Sequence, residues 1–136
     1  MNLDFVRATY WIGAIVDALA AVQLLLPRSV QVLGFAGLRE AGAAGQPAIV
    51  AAVLMLGFSA VLVWAHLRTR ERRAVLGITL AVVAGLAAGN VALGLSGAMS
   101  WTQLAPTLVI QAVLATLFGA SIPIARRAAL ERAVVS

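Results

Sequence analysis

The chain has 136 residues, 62% of them hydrophobic and 11% charged, with a formal net charge of +5. Soluble domains carry about 25% charged residues and cannot hide this much apolar surface, so the composition excludes a water-soluble fold and indicates a single integral membrane domain over residues 1–136. All the basic side chains are Arg, at the ends of apolar runs, where they act as topology signals and lipid headgroup contacts, and no basic, aromatic-interleaved surface is left to make nucleic acid a partner.

The first apolar run, residues 5–26, reads FVRATYWIGAIVDALAAVQLLL. At 1.5 Å per residue it is long enough to cross a hydrocarbon core of roughly 30 Å. Its length and its acidic residue argue against a cleaved signal peptide. A carboxyl group at that depth costs on the order of 2.5–3.5 kcal/mol on the insertion scale, which makes Asp17 the first candidate for function. Pro27 ends the run. The stretch 28–46 carries Gly34, Gly37, Gly42 and Gly45 and is too interrupted to span. Its apolar Val30, Val32, Leu33, Phe35 and Leu38 suit an interfacial loop or short helix, or a re-entrant cap. Pro47 fits the first turn of a second helix.

The second run, 48–67, leads into Arg68-Thr69-Arg70-Glu71-Arg72-Arg73, the strongest orientation signal in the chain. Two more runs follow at 74–95 and 105–125. The link 95–104 has no charge, whereas Arg126, Arg127 and Arg132 follow the last run. The positive-inside rule then predicts an all-α fold, a four-transmembrane-helix bundle with both termini cytoplasmic and a glycine-rich outer loop between helices 1 and 2. Arg7 agrees, and Arg28 and Arg39 are outnumbered. The runs neither alternate in polarity nor have the length of barrel strands. Tyr10, Trp11 and Trp64 are expected at the inner headgroup level with His66, and Trp101 at the outer level.

Small or polar residues recur every four positions on three runs: Thr9, Gly13, Asp17 and Ala21; Gly77, Ala81, Gly85 and Gly89; Thr107, Gln111, Ala115 and Gly119. Residues four apart share a helix face, so Gly13, Gly77, Gly85, Gly89 and Gly119 are expected packing positions that let a neighbour approach closely. From the rise per residue, Gln23 lies roughly 5 Å below the outer end of its helix, Asn90 and Gln111 roughly 7–10 Å, Asp17 roughly 14 Å and Ser59 roughly 16 Å. The intramembrane polar groups therefore gather in the outer half. Asp17 has no basic partner at its depth, because Arg7 is about 15 Å away along the helix. Its options are protonation, hydrogen bonds from Gln111, Asn90 or Ser59, or water in a cavity.

The segments YWIGAIVDAL and LMLGFSAVLVWAHLRTRERRAVLGITL, with helices one to three between them, resemble a group of small bacterial four-helix integral membrane proteins with no assigned activity. The resemblance implies four spans and an inner arginine loop. Asp17 is also similar in placement to the single acidic residue in the first span of small multidrug-resistance transporters. This chain departs from them in its long glycine-rich first loop, in Asp for Glu, and in having few aromatic residues nearby, so that activity is not carried over.

With no Cys and a single His, thiolate metal sites, Fe–S clusters and bis-histidine haem within one chain are excluded, and no cofactor or metal is expected. No nucleophile–base pair or nucleotide loop stands out, which weighs against an enzyme. The expectation is a small non-enzymatic protein of the bacterial inner membrane. It would bind a partner subunit, a lipid or a small apolar ligand through an outer-leaflet polar pocket formed by Asp17, Gln23, Ser59, Asn90 and Gln111. The alternative is a proton-coupled small-molecule transporter, working as a homo-oligomer with Asp17 as the titrating group. The lipid bilayer, and a homo-oligomer or larger membrane complex, are the expected partners.

Overall fold

The computed structural model describes residues 3–25, 45–69 and 71–135, and among these all regular structure is helical. There are four helices: α1 (Leu3–Leu25), α2 (Gly45–Leu67), α3 (Ala74–Leu95) and α4 (Trp101–Val135). Each is long and apolar enough to cross a membrane. The loop expected between the first two helices lies outside the described residues apart from Gly45 and Gln46, which already belong to α2.

The largest departure from the apolar runs is in α4, which continues ten residues beyond position 125 to Val135. Hydropathy drops there because Arg126, Arg127 and Glu131 intervene, but Ala, Leu, Arg and Glu are all strong helix formers and the backbone has no reason to stop. At 35 residues the helix is about 52 Å long, well over the thickness of a hydrocarbon core.

The connection from α3 to α4 is specified residue by residue. Gly97, at φ +73°, takes the left-handed position that ends a helix. The Ala98 N–H donates to the Leu93 carbonyl at 3.1 Å and the Gly97 N–H to Gly94 at 3.2 Å, the paired bonds of a Schellman ending. Ser100 then opens α4 as one half of a capping box, its own N–H reaching the Gln103 Oε1 at 3.2 Å. At the other end of the molecule the turn after α2 is tied to α2 and to α1. The Thr69 hydroxyl donates to the His66 carbonyl at 2.8 Å, and the Tyr10 hydroxyl of α1 donates to the Arg72 carbonyl at 3.2 Å.

The helices pack as α2 against α1, α1 against α4, and α4 against α3; α2 and α3 share no comparable interface. The main core gathers toward the arginine-bearing turn, around Val6, Tyr10, Leu62, Leu76, Leu114 and Phe118. A second, separate cluster of Ala21, Leu24 and Ala52 holds α1 to α2 near the opposite end. The buried residues of α1 are spread from Val6 to Leu24, whereas those of α3 (Val75, Leu76, Thr79 and Val83) all lie in its first half. Among the described residues the bundle is thus dense at the arginine end and open at the far end.

Candidate functional site

The open half holds a cavity of about 250 Å³. α1 contributes Val16, Asp17, Ala20 and Leu24, and α2 Ala51 and Met55. α3 adds Val83, Leu86, Asn90 and Leu93, with Met99 beyond its end, while α4 adds Leu104, Thr107, Ile110, Gln111 and Leu114. The positions on α3 extend the spacing of its buried face: Thr79, Val83, Leu86, Asn90 and Leu93 succeed one another at intervals of three or four residues. The same face that packs in the dense half lines a void in the open half. From Val83 to Leu93 the rise is about 15 Å.

The floor is closed by close packing. An ideal Cβ on Gly13 would lie 2.8 Å from Cζ of Phe118 and 3.1 Å from Cδ1 of Leu62, so only glycine lets the three helices meet here. Phe118, Leu62 and Tyr10 are fully buried, and Tyr10 meets Phe118 edge-on at 6.3 Å between ring centroids. Asp17 lies one turn above Gly13. Below the floor the Ser121 hydroxyl donates to the Thr9 Oγ1 at 3.0 Å, a buried polar link between α1 and α4.

Of the polar residues singled out in the sequence, three meet at the cavity: Asp17, Asn90 and Gln111. The Asn90 Nδ2 donates to the Gln111 Oε1 at 3.2 Å, which leaves the Asn90 Oδ1 and the Gln111 Nε2 for another partner. Asp17 is half-buried and has no hydrogen bond or ion pair with any described residue. Ser59 does not line the cavity. It lies one turn below Met55, within the packed half, and its hydroxyl donates to the Met55 carbonyl at 2.9 Å. Gln23 is half-buried and also lies outside the lining. Thr107 is a lining residue that the reading of polar depth passed over. Its signal was its place one turn before Gln111 on the same face of α4.

The glycines divide in the same way. Gly13 is in close contact with Phe118 and Leu62, and Thr9 and Ala21 on its stripe of α1 are also buried. Gly77, Gly85 and Gly89 have open space where a Cβ would be. At 3.6 residues per turn Gly77 and Gly85 fall on the opposite side of α3 from Thr79 and Val83 and Gly89 on its flank, so among the described residues this stripe packs against nothing. Gly119 likewise has no atom within 4 Å of an added Cβ.

The arginine end carries a different set of contacts. The Trp11 Nε1–H donates to the His66 Nε2 at 3.2 Å, which leaves the proton of a neutral imidazole on Nδ1, a buried atom with no partner among the described residues. The Arg72 guanidinium lies 3.3 Å over the Trp64 ring and also donates to the Trp64 carbonyl. Among the described residues no three His, Cys, Asp or Glu side chains come together.

A mostly apolar void lined by two paired amides and by a carboxyl group with no partner among the described residues can hold a small, mostly hydrocarbon molecule and orient one polar group. No protein-family model matches the chain, and no curated protein or solved structure matches it either.

Proposed function

We propose that this is a small, non-enzymatic protein of the bacterial inner membrane that binds a small, largely apolar ligand in the cavity around Asp17. The observation that carries the reading is the unpaired Asp17 in an otherwise apolar void, beside the Asn90–Gln111 pair. A carboxyl group placed inside a membrane protein is costly, and it is tolerated where it faces a cavity or a partner. The cavity then opens toward the outside of the cell, because the turn of Arg68, Arg72 and Arg73 at the closed end is the cytoplasmic one by the positive-inside rule.

Native mass spectrometry from mild detergent, wild type beside Asp17→Asn, tests this. Wild type is expected to carry a bound small molecule that Asp17→Asn loses while its helical circular dichroism and melting stay unchanged. A clean apo protein in both samples makes Asp17 structural and overturns the reading.

The alternative is proton-coupled transport, with Asp17 as the titrating group and a second copy completing the pathway. What favours it is the same absence of an ionic partner for Asp17 among the described residues. It requires proton-driven uptake or efflux in vesicles, lost in Asp17→Asn.

A further inference from the structure

The cavity does not open only along the bundle axis. Leu86 of α3 lines it and is 54% exposed, so the cavity is not sealed at that point. Ala51 and Met55 of α2 line the same cavity, and α2 and α3 are the neighbouring helices in sequence that share no extensive interface among the described residues. No residue of α3 beyond Val83 is buried, although its inward face continues through Leu86 and Asn90. Among the described residues, the gap therefore lies on the side of the bundle, between α2 and α3.

The level of this gap limits what can use it. Leu86 is nine residues from the end of α3 at Leu95, about 13 Å along the axis, and Asp17 is eight from the end of α1, about 12 Å. In a core roughly 30 Å thick both lie near the middle. A molecule arriving there comes out of the hydrocarbon itself, where a charged head costs several kcal/mol and a neutral polar group far less. Inside, it meets apolar walls, an acceptor at Asn90, a donor at Gln111 and the carboxyl group of Asp17. A volume of about 250 Å³ is just below the usual range for drug-sized ligands.

We infer that the cavity is filled from the side, through the gap between α2 and α3, by a neutral, hydrocarbon-soluble molecule with one hydrogen-bonding group. That group binds at Asp17 and the Asn90–Gln111 pair. This inference rests on the ligand-binding reading above and adds to it the entry route and the chemical class.

The absence of cysteine makes the test direct. A nitroxide is placed on Ala51→Cys, the protein is reconstituted in vesicles, and relaxation of the label by oxygen, which dissolves in hydrocarbon, is compared with relaxation by a water-soluble nickel complex. The expected result is several-fold greater access for oxygen. That access should fall at least twofold when Leu86→Trp narrows the gap, and also when 1-decanol is added, but not with decylammonium. In Asp17→Leu the decanol effect is expected to disappear. Nickel access equal to that of oxygen, or indifference to Leu86→Trp, overturns the lateral route. Protection by decylammonium rather than decanol overturns the neutral class. In each of these cases a bound molecule in the native mass spectrum leaves the ligand-binding reading standing, so the two failures are distinguishable.

Discussion

Gly13 of α1 and Phe118 of α4 meet so closely that a Cβ on the first would lie 2.8 Å from the ring of the second. This contact closes the floor of the cavity and joins the two helices that connect the α1–α2 pair to the α3–α4 pair. Adding one methyl group there must push the Phe118 ring toward Tyr10 or separate α1 from α4. Gly13→Ala is expected to cost about 1–3 kcal/mol, as overpacking does, and Gly13→Leu to abolish the closed floor. Unfolding followed by circular dichroism in detergent measures both.

On α3 the opposite outcome is expected. Gly85 has open space before it, so Gly85→Leu should change the stability of the isolated chain by no more than about 0.5 kcal/mol, as at an ordinary surface site. If the smooth face of Gly77, Gly85 and Gly89 receives a second copy or another membrane protein, association is the property that changes. Sedimentation or co-purification in mild detergent reads it, beside the unfolding curve.

The hydroxyl link between Thr9 and Ser121 is buried and spans α1 and α4. The double-mutant cycle of Thr9→Val and Ser121→Ala is expected to give a coupling of about 0.6 kcal/mol, the average for interhelical hydrogen bonds in membrane proteins. The Thr9 hydroxyl donates to the Phe5 carbonyl, and the single Ser121 proton is shared between Thr9 and the Leu117 carbonyl of its own helix, which keeps the single substitutions mild.

At the cavity wall, Asn90→Leu removes the donor to Gln111 and leaves the Gln111 Oε1 without that partner in an apolar setting. A loss of about 1–3 kcal/mol in stability is expected, together with reduced ligand occupancy in the native mass spectrum. The double variant Asn90→Leu with Gln111→Leu is expected to recover stability but not occupancy, because an apolar pair needs no partner while the bound polar group still does.

The stacking of Arg72 on Trp64 is worth about 0.5–1 kcal/mol at an exposed site. Arg72→Gln should cost about that much and shift the emission of Trp64, read in a background where Trp11 and Trp101 are Phe. Tyr10 accepts no such loss directly, since its partner is the Arg72 backbone carbonyl.

The sequence by itself determined that the chain is helical, that four stretches are long and apolar enough to cross a membrane, and which residues put polar atoms inside them. Those are local properties: length, hydropathy and the rise per residue settle them without reference to any neighbour. Position along each helix is legible in the same way and groups Asp17, Gln23, Ser59, Asn90 and Gln111, of which Asp17, Asn90 and Gln111 line one cavity and Gln23 and Ser59 do not.

Which side of each helix faces protein was decided only by the tertiary structure. In a bilayer, lipid tails are as apolar as Leu, so hydrophobicity cannot distinguish an outward face from an inward one. The repeated glycines of α3 look like a packing face in sequence, yet among the described residues nothing lies against Gly77, Gly85 or Gly89, and the buried residues of α3 are Val75, Leu76, Thr79 and Val83. Ser59 lies on the cavity face of α2 but one turn too deep, below a floor that exists only because Gly13 admits Phe118 and Leu62. Where the helices meet and where they part is a matter of side-chain fit between separate segments, from 21 residues apart for Asn90 and Gln111 to 112 for Thr9 and Ser121, and no periodicity within one segment contains it.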